Sequence, residues 1–401
     1  MSEKRPTILQ IIPEIDAGGA ERTTIEVADA IVKAGGRAIV LSQGGRLEAD
    51  LAAAGGEHIA FAAATKNPLR MLANARAITR LVEREGVDLV HARSRAPAWS
   101  AFLAARRTRL PFVTTYHGIY NEKGRAKRAY NSVMAKGDIV IANSDYTAEV
   151  VRARYGIEPD HLVVINRGVD IDRFDRAGVT PERITALRTV WGVAAEERIV
   201  LHAARLTRWK GQGTVIAAAA RLAREPRFDD TVFVLAGDAQ GRDDYVAGLD
   251  AEIAAHRLGN RVRLVGHVED MPAAVAASDI VLVASIEPEA FGRTSVEAQA
   301  MGVPVIATSI GAPQSTVLAP PAHADTASTG RLVPPGDGAA LAKAVSDLLS
   351  LSDQDRLVMS GNAASHARTN YTTRKLQLET LAVYDRLLGA QLSASFRAAT
   401  G

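Results

Sequence analysis

The chain has 401 residues, 48 lysines and arginines, 45 aspartates and glutamates, no cysteine and a formal net charge of +3. Its length exceeds what one hydrophobic core commonly uses and predicts two domains. The lack of cysteine excludes disulfides and thiolate metal sites, and no run of eighteen uninterrupted apolar residues is present. Together with an N-terminus that has no signal-peptide core, these features predict a soluble cytoplasmic protein.

The positive charge is concentrated in one segment. Residues 61–136 carry fifteen lysines and arginines against four acids, an excess of +11. Solvated helix faces would account for it, and so would a surface that faces an anionic inner membrane or an anionic acceptor. Within it, 121–136 mixes cations with apolar residues, as an interfacial helix does. Aromatic residues make up only 5% of the chain and are not interleaved as a stacking platform, so nucleic acid is not an expected partner.

The first predicted strand, 7–12, ends at Pro13, and a loop with Gly18 and Gly19 leads into a helix over 20–32. Glycines at a helix start let an anion approach backbone amides closely. A glycine pair also makes ordinary turns, and its spacing here is not a dinucleotide fingerprint.

Strands and helices alternate through the first half of the chain, which predicts a parallel, doubly wound sheet. Each strand ends in polar residues or glycine, as at a rim that faces a ligand. His117 follows one of them; it is either a packed structural residue or a neutral partner for a sugar hydroxyl. The further predicted strands are 38–41, 87–91, 112–116, 138–142 and 163–165.

The second domain opens with a predicted strand at 198–203. Arg205 and Lys210 follow, five residues apart, in a loop that precedes a helix over 217–222. A guanidinium and an ammonium at this spacing can hold one diphosphate. Cations near a helix start also occur on ordinary surfaces.

The most informative stretch is 285–308, SIEPEAFGRTSVEAQAMGVPVIAT. It follows an apolar strand and predicts a loop, a short helix over 294–301 and another strand. Glu289 then lies in the crevice beyond the carboxyl end of a strand, and Glu297 lies further along the helix. Two carboxylates around an anion site suit a sugar nucleotide, although ordinary surface acids would show the same pair. The amides that could bind phosphate at the helix start are those of Arg293, Thr294 and Ser295.

Three segments together resemble the family 4 retaining glycosyltransferases of GT-B fold. They are GGAER at 18–22, ARLTRWKG at 204–211 and EAFGRTSVEAQAMG at 289–302. The resemblance implies an α/β protein with two facing Rossmann-like, doubly wound domains, an interdomain cleft and a C-terminal crossover helix. The predicted division is an N-terminal acceptor-side domain at 1–175, a C-terminal nucleotide-sugar-binding domain at 176–372 and a C-terminal helix, 373–401, that packs back on the first domain. A helix over 373–392 carries its apolar stripe.

The same resemblance implies roles for the site residues. The donor diphosphate would lie against Arg205, Lys210 and the glycine loop, while Glu289 would bind sugar hydroxyls and Glu297 the ribose. His117 would contact the transferred sugar. The implied donor-binding set is Gly18, Gly19, Arg205, Lys210, Val268, Glu289, Phe291, Gly292, Arg293, Thr294, Ser295 and Glu297, and the catalytic candidates are His117, Arg205, Lys210 and Glu289. Val268 would hold the base through its backbone.

The implied reaction is retaining transfer of a hexosyl group from a nucleotide sugar, either a UDP-sugar or GDP-mannose, with no metal and no other cofactor. HARSRAPAW at 91–99 and the basic segment resemble enzymes of lipopolysaccharide and surface-polysaccharide assembly. They imply a glycan or glycolipid acceptor and a peripheral position on the inner face of a bacterial cytoplasmic membrane. Two alternatives remain open: a sugar-nucleotide 2-epimerase of the same architecture, and a non-catalytic nucleotide-sugar-binding protein.

The sequence departs from the family pattern at two places. Arg167 stands where the family commonly has asparagine, so no donor contact is assigned to it. Ala312 and Gln314 replace the usual glycine and glutamate of the segment 311–314. The donor rim near Gln314 is therefore expected to differ from the family.

Overall fold

The computed structural model describes residues 5–16, 18–120, 122 and 124–401. Asn121 and Lys123, which belong to the predicted interfacial helix, lie outside the described residues. The chain folds into two units. Unit 1 contains the residues up to Gly168 together with Thr373–Gly401, and unit 2 is Val169–Thr372.

Unit 1 is built on a seven-stranded sheet whose strands are all parallel. The strands are β1 (Thr7–Ile11), β2 (Arg37–Ser42), β3 (Glu57–Ala60), β4 (Leu89–Ala92), β5 (Phe112–Tyr116), β6 (Ile139–Ala142) and β7 (Leu162–Val164). Their order across the sheet is β3-β2-β1-β4-β5-β6-β7. Most of these strands are buried on both faces, which explains their near-continuous valine and isoleucine runs.

Helices connect these strands: α1 (Gly19–Lys33), α2 (Glu48–Ala53), α3 (Pro68–Glu85), α4 (Arg95–Thr108), α5 (Arg125–Asn131) and α6 (Asp145–Tyr155). The longest of them, α3, has clear start and stop signals. The Asn67 side chain accepts hydrogen bonds from the Leu69 and Arg70 amides, and Pro68 takes the first helical position. The helix ends at Gly86, which adopts the left-handed conformation.

Unit 2 repeats the design with six parallel strands. They are β8 (Arg198–Ala203), β9 (Thr231–Ala236), β10 (Val262–Gly266), β11 (Ile280–Val283), β12 (Val305–Thr308) and β13 (Gly330–Val333). Their order is β10-β9-β8-β11-β12-β13. The helices are α7 (Pro181–Trp191), α8 (Gln212–Leu222), α9 (Asp243–Ala255), α10 (Met271–Ala276), α11 (Arg293–Ala300), α12 (Pro313–Thr316), α13 (Gly338–Leu349) and α14 (Asp353–Asn370). The expectation of two doubly wound α/β units is therefore confirmed.

The chain returns to unit 1 through α15 (Thr373–Leu388) and α16 (Leu392–Thr400). Both helices pack on α1. The Gln377 side-chain amide donates to the Glu26 carbonyl oxygen at 2.8 Å, and the Tyr384 hydroxyl lies 2.7 Å from Nδ1 of His91. Tyr384 is fully buried.

Unit 2 begins at Val169, seven residues before the predicted division after residue 175. The Val169 amide donates to the Tyr371 carbonyl oxygen at 2.7 Å, and Val169 also pairs with Thr372 in an isolated parallel bridge. Two adjacent backbone contacts therefore hold the start and the end of unit 2 together.

Several elements differ from the sequence-based expectations. The helix predicted over 373–392 ends at Leu388, because Gly389 takes a φ of 63° and breaks it before α16. Helix α14 was not predicted, since its buried side is a sparse set of small residues around Met359. Strand β3, also not predicted, is a half-exposed edge strand. Within the described residues, no helix combines the length and apolar composition needed to cross a bilayer.

Candidate active site

The candidate site lies where the strand order of unit 2 reverses. Strands β8, β9 and β10 extend from the middle of the sheet to one edge, and β11, β12 and β13 extend to the other. Because every strand is parallel, the loops after β8 and β11 leave the same edge of the sheet and flank one crevice, the usual ligand position in such a fold. Lys210 lies in the first loop and Glu289 in the second.

The loops after β8 and β11 touch each other. The Ile286 amide donates to the Trp209 carbonyl oxygen at 2.8 Å. Gly211, which starts α8 with a φ of 81°, lies so close to the Ala284 carbonyl oxygen that a Cβ at this position would overlap it. Glycine at this point of the loop is thus required by a close backbone approach as well as by a left-handed conformation.

The main finding in this crevice is an ion pair between Lys210 Nζ and Glu289 Oε1. The two side chains are only 18% and 9% exposed, respectively. The Ser285 hydroxyl donates to the same carboxylate oxygen at 2.5 Å, and Lys210 Nζ also lies 4.2 Å from the centroid of the Trp209 ring. Glu289 is therefore a buried carboxylate held by a cation and a hydroxyl.

The backbone of Glu289 is fixed from the loop after β12. Glu289 and Gly311 form a parallel bridge, and the Ala312 amide donates to the Glu289 carbonyl oxygen at 2.9 Å. A Cβ on Gly311 would overlap the Glu289 carbonyl oxygen. Ala312 supports the site through its backbone, so alanine serves there as well as glycine. Gln314 is exposed and donates to the Ser309 carbonyl oxygen at 3.0 Å.

The start of α11 faces the same crevice. Gly292 caps the helix with a φ of 80°, and the Thr294 hydroxyl donates to the Ala203 carbonyl oxygen at the end of β8, at 3.3 Å. The Ser295 amide and hydroxyl both donate to the Gly292 carbonyl oxygen, at 3.0 and 2.8 Å. Ser295 is thus already bonded within the first turn. The other two predicted phosphate-binding amides, those of Arg293 and Thr294, lie in the first turn of α11.

The other predicted donor residues of unit 2 occupy different surroundings. Glu297 lies one turn along α11 and faces Arg293, with 3.5 Å between Oε1 and Nε. Arg205 is exposed. The side chains of Phe291 and Val268 belong to the hydrophobic core, and Phe291 packs edge-on against Tyr371 with 5.7 Å between ring centroids. Either of these two residues can reach a ligand only through its backbone.

Sequence reasoning missed two side chains next to the ion pair. Ser285, the first polar residue after β11, orients Glu289, and its own carbonyl oxygen accepts a bond from the Thr308 hydroxyl at 2.7 Å. His202, near the end of β8, is buried with Nδ1 3.0 Å from the Leu282 carbonyl oxygen. Burial lowers the pKa of His202 to about 4, so it is neutral at pH 7. A polar residue directly after an apolar strand was the available signal for Ser285.

The remaining predicted residues, Gly18, Gly19 and His117, belong to unit 1. The Arg167 guanidinium lies against Gly19, where a Cβ would overlap it, and its Nη2 donates to the His117 carbonyl oxygen at 3.2 Å. Arg167 therefore bridges the glycine loop and the loop of His117. Burial lowers the pKa of His117 well below its usual value, and the charges of Arg93 and Arg167 act in the same direction. His117 is neutral at pH 7.

Comparisons with known proteins agree with this architecture. A model of Glycosyltransferase Family 4 matches residues 17–173, and a model of Glycosyl transferases group 1 matches residues 184–366. A D-inositol 3-phosphate glycosyltransferase from Xylanimonas cellulosilytica is 32% identical over 248 residues, which cover 58% of each chain. The match therefore spans less than two thirds of that relative's length.

Two solved structures are similar over almost the whole chain. A glycosyltransferase from Rickettsia africae has a TM-score of 0.87 and 35% identity, covering 96% of this chain and 100% of its own. HepE from Anabaena, solved in complex with UDP-glucose, has a TM-score of 0.81 and 27% identity, covering 95% of this chain and 100% of its own.

Proposed function

Because this chain belongs to the group 1 glycosyltransferases, with a family 4 glycosyltransferase region before its group 1 region, we propose that it moves a sugar from a nucleotide-diphosphate donor to a glycan or glycolipid acceptor with retention of configuration. It is an enzyme of the glycosyltransferase type, and its two parallel sheets match the GT-B class expected from sequence. The observation that carries the donor proposal is the buried pair of Lys210 and Glu289 at the strand-order reversal of unit 2.

The proposed donor site follows from the charges in this crevice. The ion pair with Glu289 holds Lys210 in place even when no nucleotide sugar is bound. The ammonium group is therefore already positioned and desolvated where a diphosphate would lie. Two further groups in the crevice can attract the phosphates. They are the exposed guanidinium of Arg205, in the same loop, and the positive dipole end at the start of α11. Glu289 binds hydroxyls of the sugar and Glu297 the ribose. A UDP-sugar is favoured over GDP-mannose because the similar HepE was solved with UDP-glucose.

The proposed chemistry is a same-face substitution. The acceptor hydroxyl attacks the anomeric carbon as the bond to the diphosphate breaks, and the leaving phosphate oxygen takes the hydroxyl proton. Lys210 and Arg205 neutralise the charge that develops on the leaving group, which is the role a metal ion fills in other transferases. The reaction as proposed needs no metal.

The acceptor is proposed to be a lipid-linked or lipopolysaccharide-core glycan bound by unit 1 near an anionic membrane surface. One face of α3 supports this location. Leu69 and Leu72 are 77% and 48% exposed, and Arg76 and Arg80 continue the same face at helical spacing. Exposed leucines beside cations are typical of interfacial helices. Outside α3, the exposed cations of the basic segment 61–136 include Arg125, Lys127, Arg128 and Lys136.

A variant in which alanine replaces all four of these cations, Arg125, Lys127, Arg128 and Lys136, is expected to bind anionic liposomes at least tenfold more weakly. Each cation near such a surface contributes about 1 kcal/mol at moderate salt. Co-sedimentation with vesicles of phosphatidylglycerol and phosphatidylethanolamine measures the effect. A second variant, Leu69→Ser with Leu72→Ser, is expected to weaken binding to the same vesicles with little dependence on salt.

The matched control removes four exposed cations of unit 2 and should sediment like the wild type. These cations are Arg221, Arg224, Arg242 and Arg257. Equal losses in both four-cation variants would show that only net charge matters, and unchanged sedimentation of the unit 1 variants would remove the membrane proposal.

The proposed function is tested by incubating the protein with UDP-glucose, UDP-galactose or GDP-mannose and a bacterial glycolipid fraction. We expect nucleotide release that depends on the acceptor. We also expect NMR of the product to show the same anomeric configuration as in the donor. Conversion of the sugar nucleotide without acceptor would favour the 2-epimerase. Binding of donor with no turnover under any of these conditions would favour a non-catalytic protein.

A further inference from the structure

The backbone of Arg205 lies just beyond the last residue of β8, where the regular pairing of that strand ends. On the β9 side, the amides of Ala204 and Leu206 still donate to carbonyl oxygens at and beyond the end of β9, at 2.9 and 3.1 Å. On the other side, β11 pairs with β8 only at Val200 and Leu201 and does not reach Arg205. The Arg205 carbonyl oxygen therefore needs a partner from outside the sheet.

The side chain of Gln212 supplies this partner. Gln212 is the first residue of α8 and is fully buried. Its Nε2 atom donates to the Arg205 carbonyl oxygen at 3.0 Å, and its Oε1 atom accepts a hydrogen bond from the Tyr245 hydroxyl at 3.0 Å. Because both ends of the amide are bonded, the Gln212 side chain is held in one orientation.

Tyr245 extends this connection to a second helix. It lies in the first turn of α9 and is half-buried. Burial raises the pKa of the Tyr245 hydroxyl above its ordinary value, although the charge of Arg208 acts in the opposite direction. The hydroxyl is therefore protonated at pH 7 and donates to Gln212. Two consecutive hydrogen bonds thus join α9, α8 and the loop after β8.

The two cations of this loop are held in different ways. Lys210 pairs with Glu289, and the neighbouring Trp209 carbonyl oxygen accepts a bond from the Ile286 amide, so this end of the loop is fixed from the loop after β11. The Arg205 guanidinium is exposed and has no ion pair or hydrogen bond among the described residues. Since nothing holds the guanidinium itself, the phosphates that it can reach depend on where the Arg205 backbone is fixed.

We propose that Gln212 and Tyr245 are positioning residues for the donor diphosphate. Through the Arg205 carbonyl oxygen, they fix the backbone from which the Arg205 guanidinium reaches the phosphates, while Glu289 positions Lys210 separately. This inference rests on the proposed function, since it concerns the same donor site. It adds two residues that do not touch the donor and act only through Arg205.

The test is a double-mutant cycle in which isothermal titration measures UDP binding to the full-length protein. Gln212→Leu removes both hydrogen bonds with little change in side-chain volume, and Tyr245→Phe removes only the outer one. Each substitution is made in the wild type and in Arg205→Ala. Urea denaturation reports the stability of every variant.

Ser278→Ala is the matched control for the loss of a buried hydrogen bond. The Ser278 hydroxyl donates to the Ala274 carbonyl oxygen at 2.7 Å, and Ser278 is 7% exposed. It lies just before β11, at the amino end of the strands and therefore at the edge of the sheet away from the site. Its loss should lower stability and leave UDP binding unchanged.

We expect Gln212→Leu to weaken UDP binding about tenfold and Tyr245→Phe about threefold, because a displaced cation stabilises the phosphates less. In the Arg205→Ala background, neither substitution should change the Kd by more than about twofold, since no guanidinium is left to position. This dependence on Arg205 separates positioning from a general effect on the fold.

Losses of UDP affinity that persist in the Arg205→Ala background would overturn the proposal, and so would wild-type affinity in both Gln212→Leu and Tyr245→Phe. If Gln212→Leu does not fold, the half-buried Tyr245→Phe decides the question by the same cycle. A wild-type protein that binds no nucleotide would overturn the proposed donor site and this inference with it. That result is distinct from normal UDP binding in the wild type and the variants alike, which would overturn the positioning role alone.

Discussion

Replacing Lys210 with methionine is expected to lower kcat/KM for the nucleotide sugar by about a thousandfold, because one fixed cation at a developing phosphate charge contributes on this scale. Methionine keeps the length of the side chain and removes only its charge. Lys210 is 18% exposed and is positioned by Glu289 and the Trp209 ring, so solvent cannot replace it readily. Initial rates of nucleotide release at varied donor concentration measure the effect.

Arg208→Met is the matched control for this experiment. Arg208 is an exposed cation two residues before Lys210, in the same short turn. It should retain kcat/KM within about threefold, since exposed charges contribute little in water. A loss in Arg208→Met equal to that in Lys210→Met would mean that general positive charge, rather than Lys210 itself, supports the reaction.

Replacing Glu289 with glutamine is expected to reduce turnover by about a hundredfold, since a neutral amide binds the sugar hydroxyls less strongly than a charged carboxylate. Replacing it with alanine should also lower the free energy of unfolding by about 3 kcal/mol, because Lys210 then stays buried without its partner. Rates of nucleotide release and urea denaturation measure the two effects separately.

A double variant distinguishes the structural from the catalytic part of this pair. Lys210→Met combined with Glu289→Gln leaves no unpaired charge, so its stability should exceed that of either single variant, with a coupling of about 1 kcal/mol or more. Its activity should stay as low as that of Lys210→Met. Recovery of activity along with stability would show that the pair matters only for folding.

The sequence places the candidate donor residues at one edge of the sheet because the informative residues follow strands. In a parallel sheet, a motif that begins where an apolar run ends must lie at the ligand-binding edge. Lys210 and Glu289 were therefore both predicted to face a diphosphate sugar. Their direct pairing was not predicted, because they are 79 residues apart and meet only through the strand order, which places β8 beside β11.

Other side-chain environments depended on packing that a linear motif does not encode. Phe291 stands in the middle of the donor motif, yet its side chain packs on Tyr371 in the core. Arg167 was set aside as a departure from the family pattern, yet it connects the glycine loop to His117.

Isothermal titration of the full-length protein with UDP, GDP and ADP tests the central claim most directly, since it needs no acceptor. We predict that one nucleotide, UDP, binds selectively, that Lys210→Met loses this binding, and that Arg208→Met keeps it. In a parallel thermal or chemical denaturation, the same nucleotide at a hundredfold excess over Kd should raise stability by about 2.7 kcal/mol. A folded protein that binds none of the three nucleotides would contradict the assignment of the donor site to Lys210 and Glu289. A Lys210→Met variant that binds UDP as tightly as the wild type would contradict it as well.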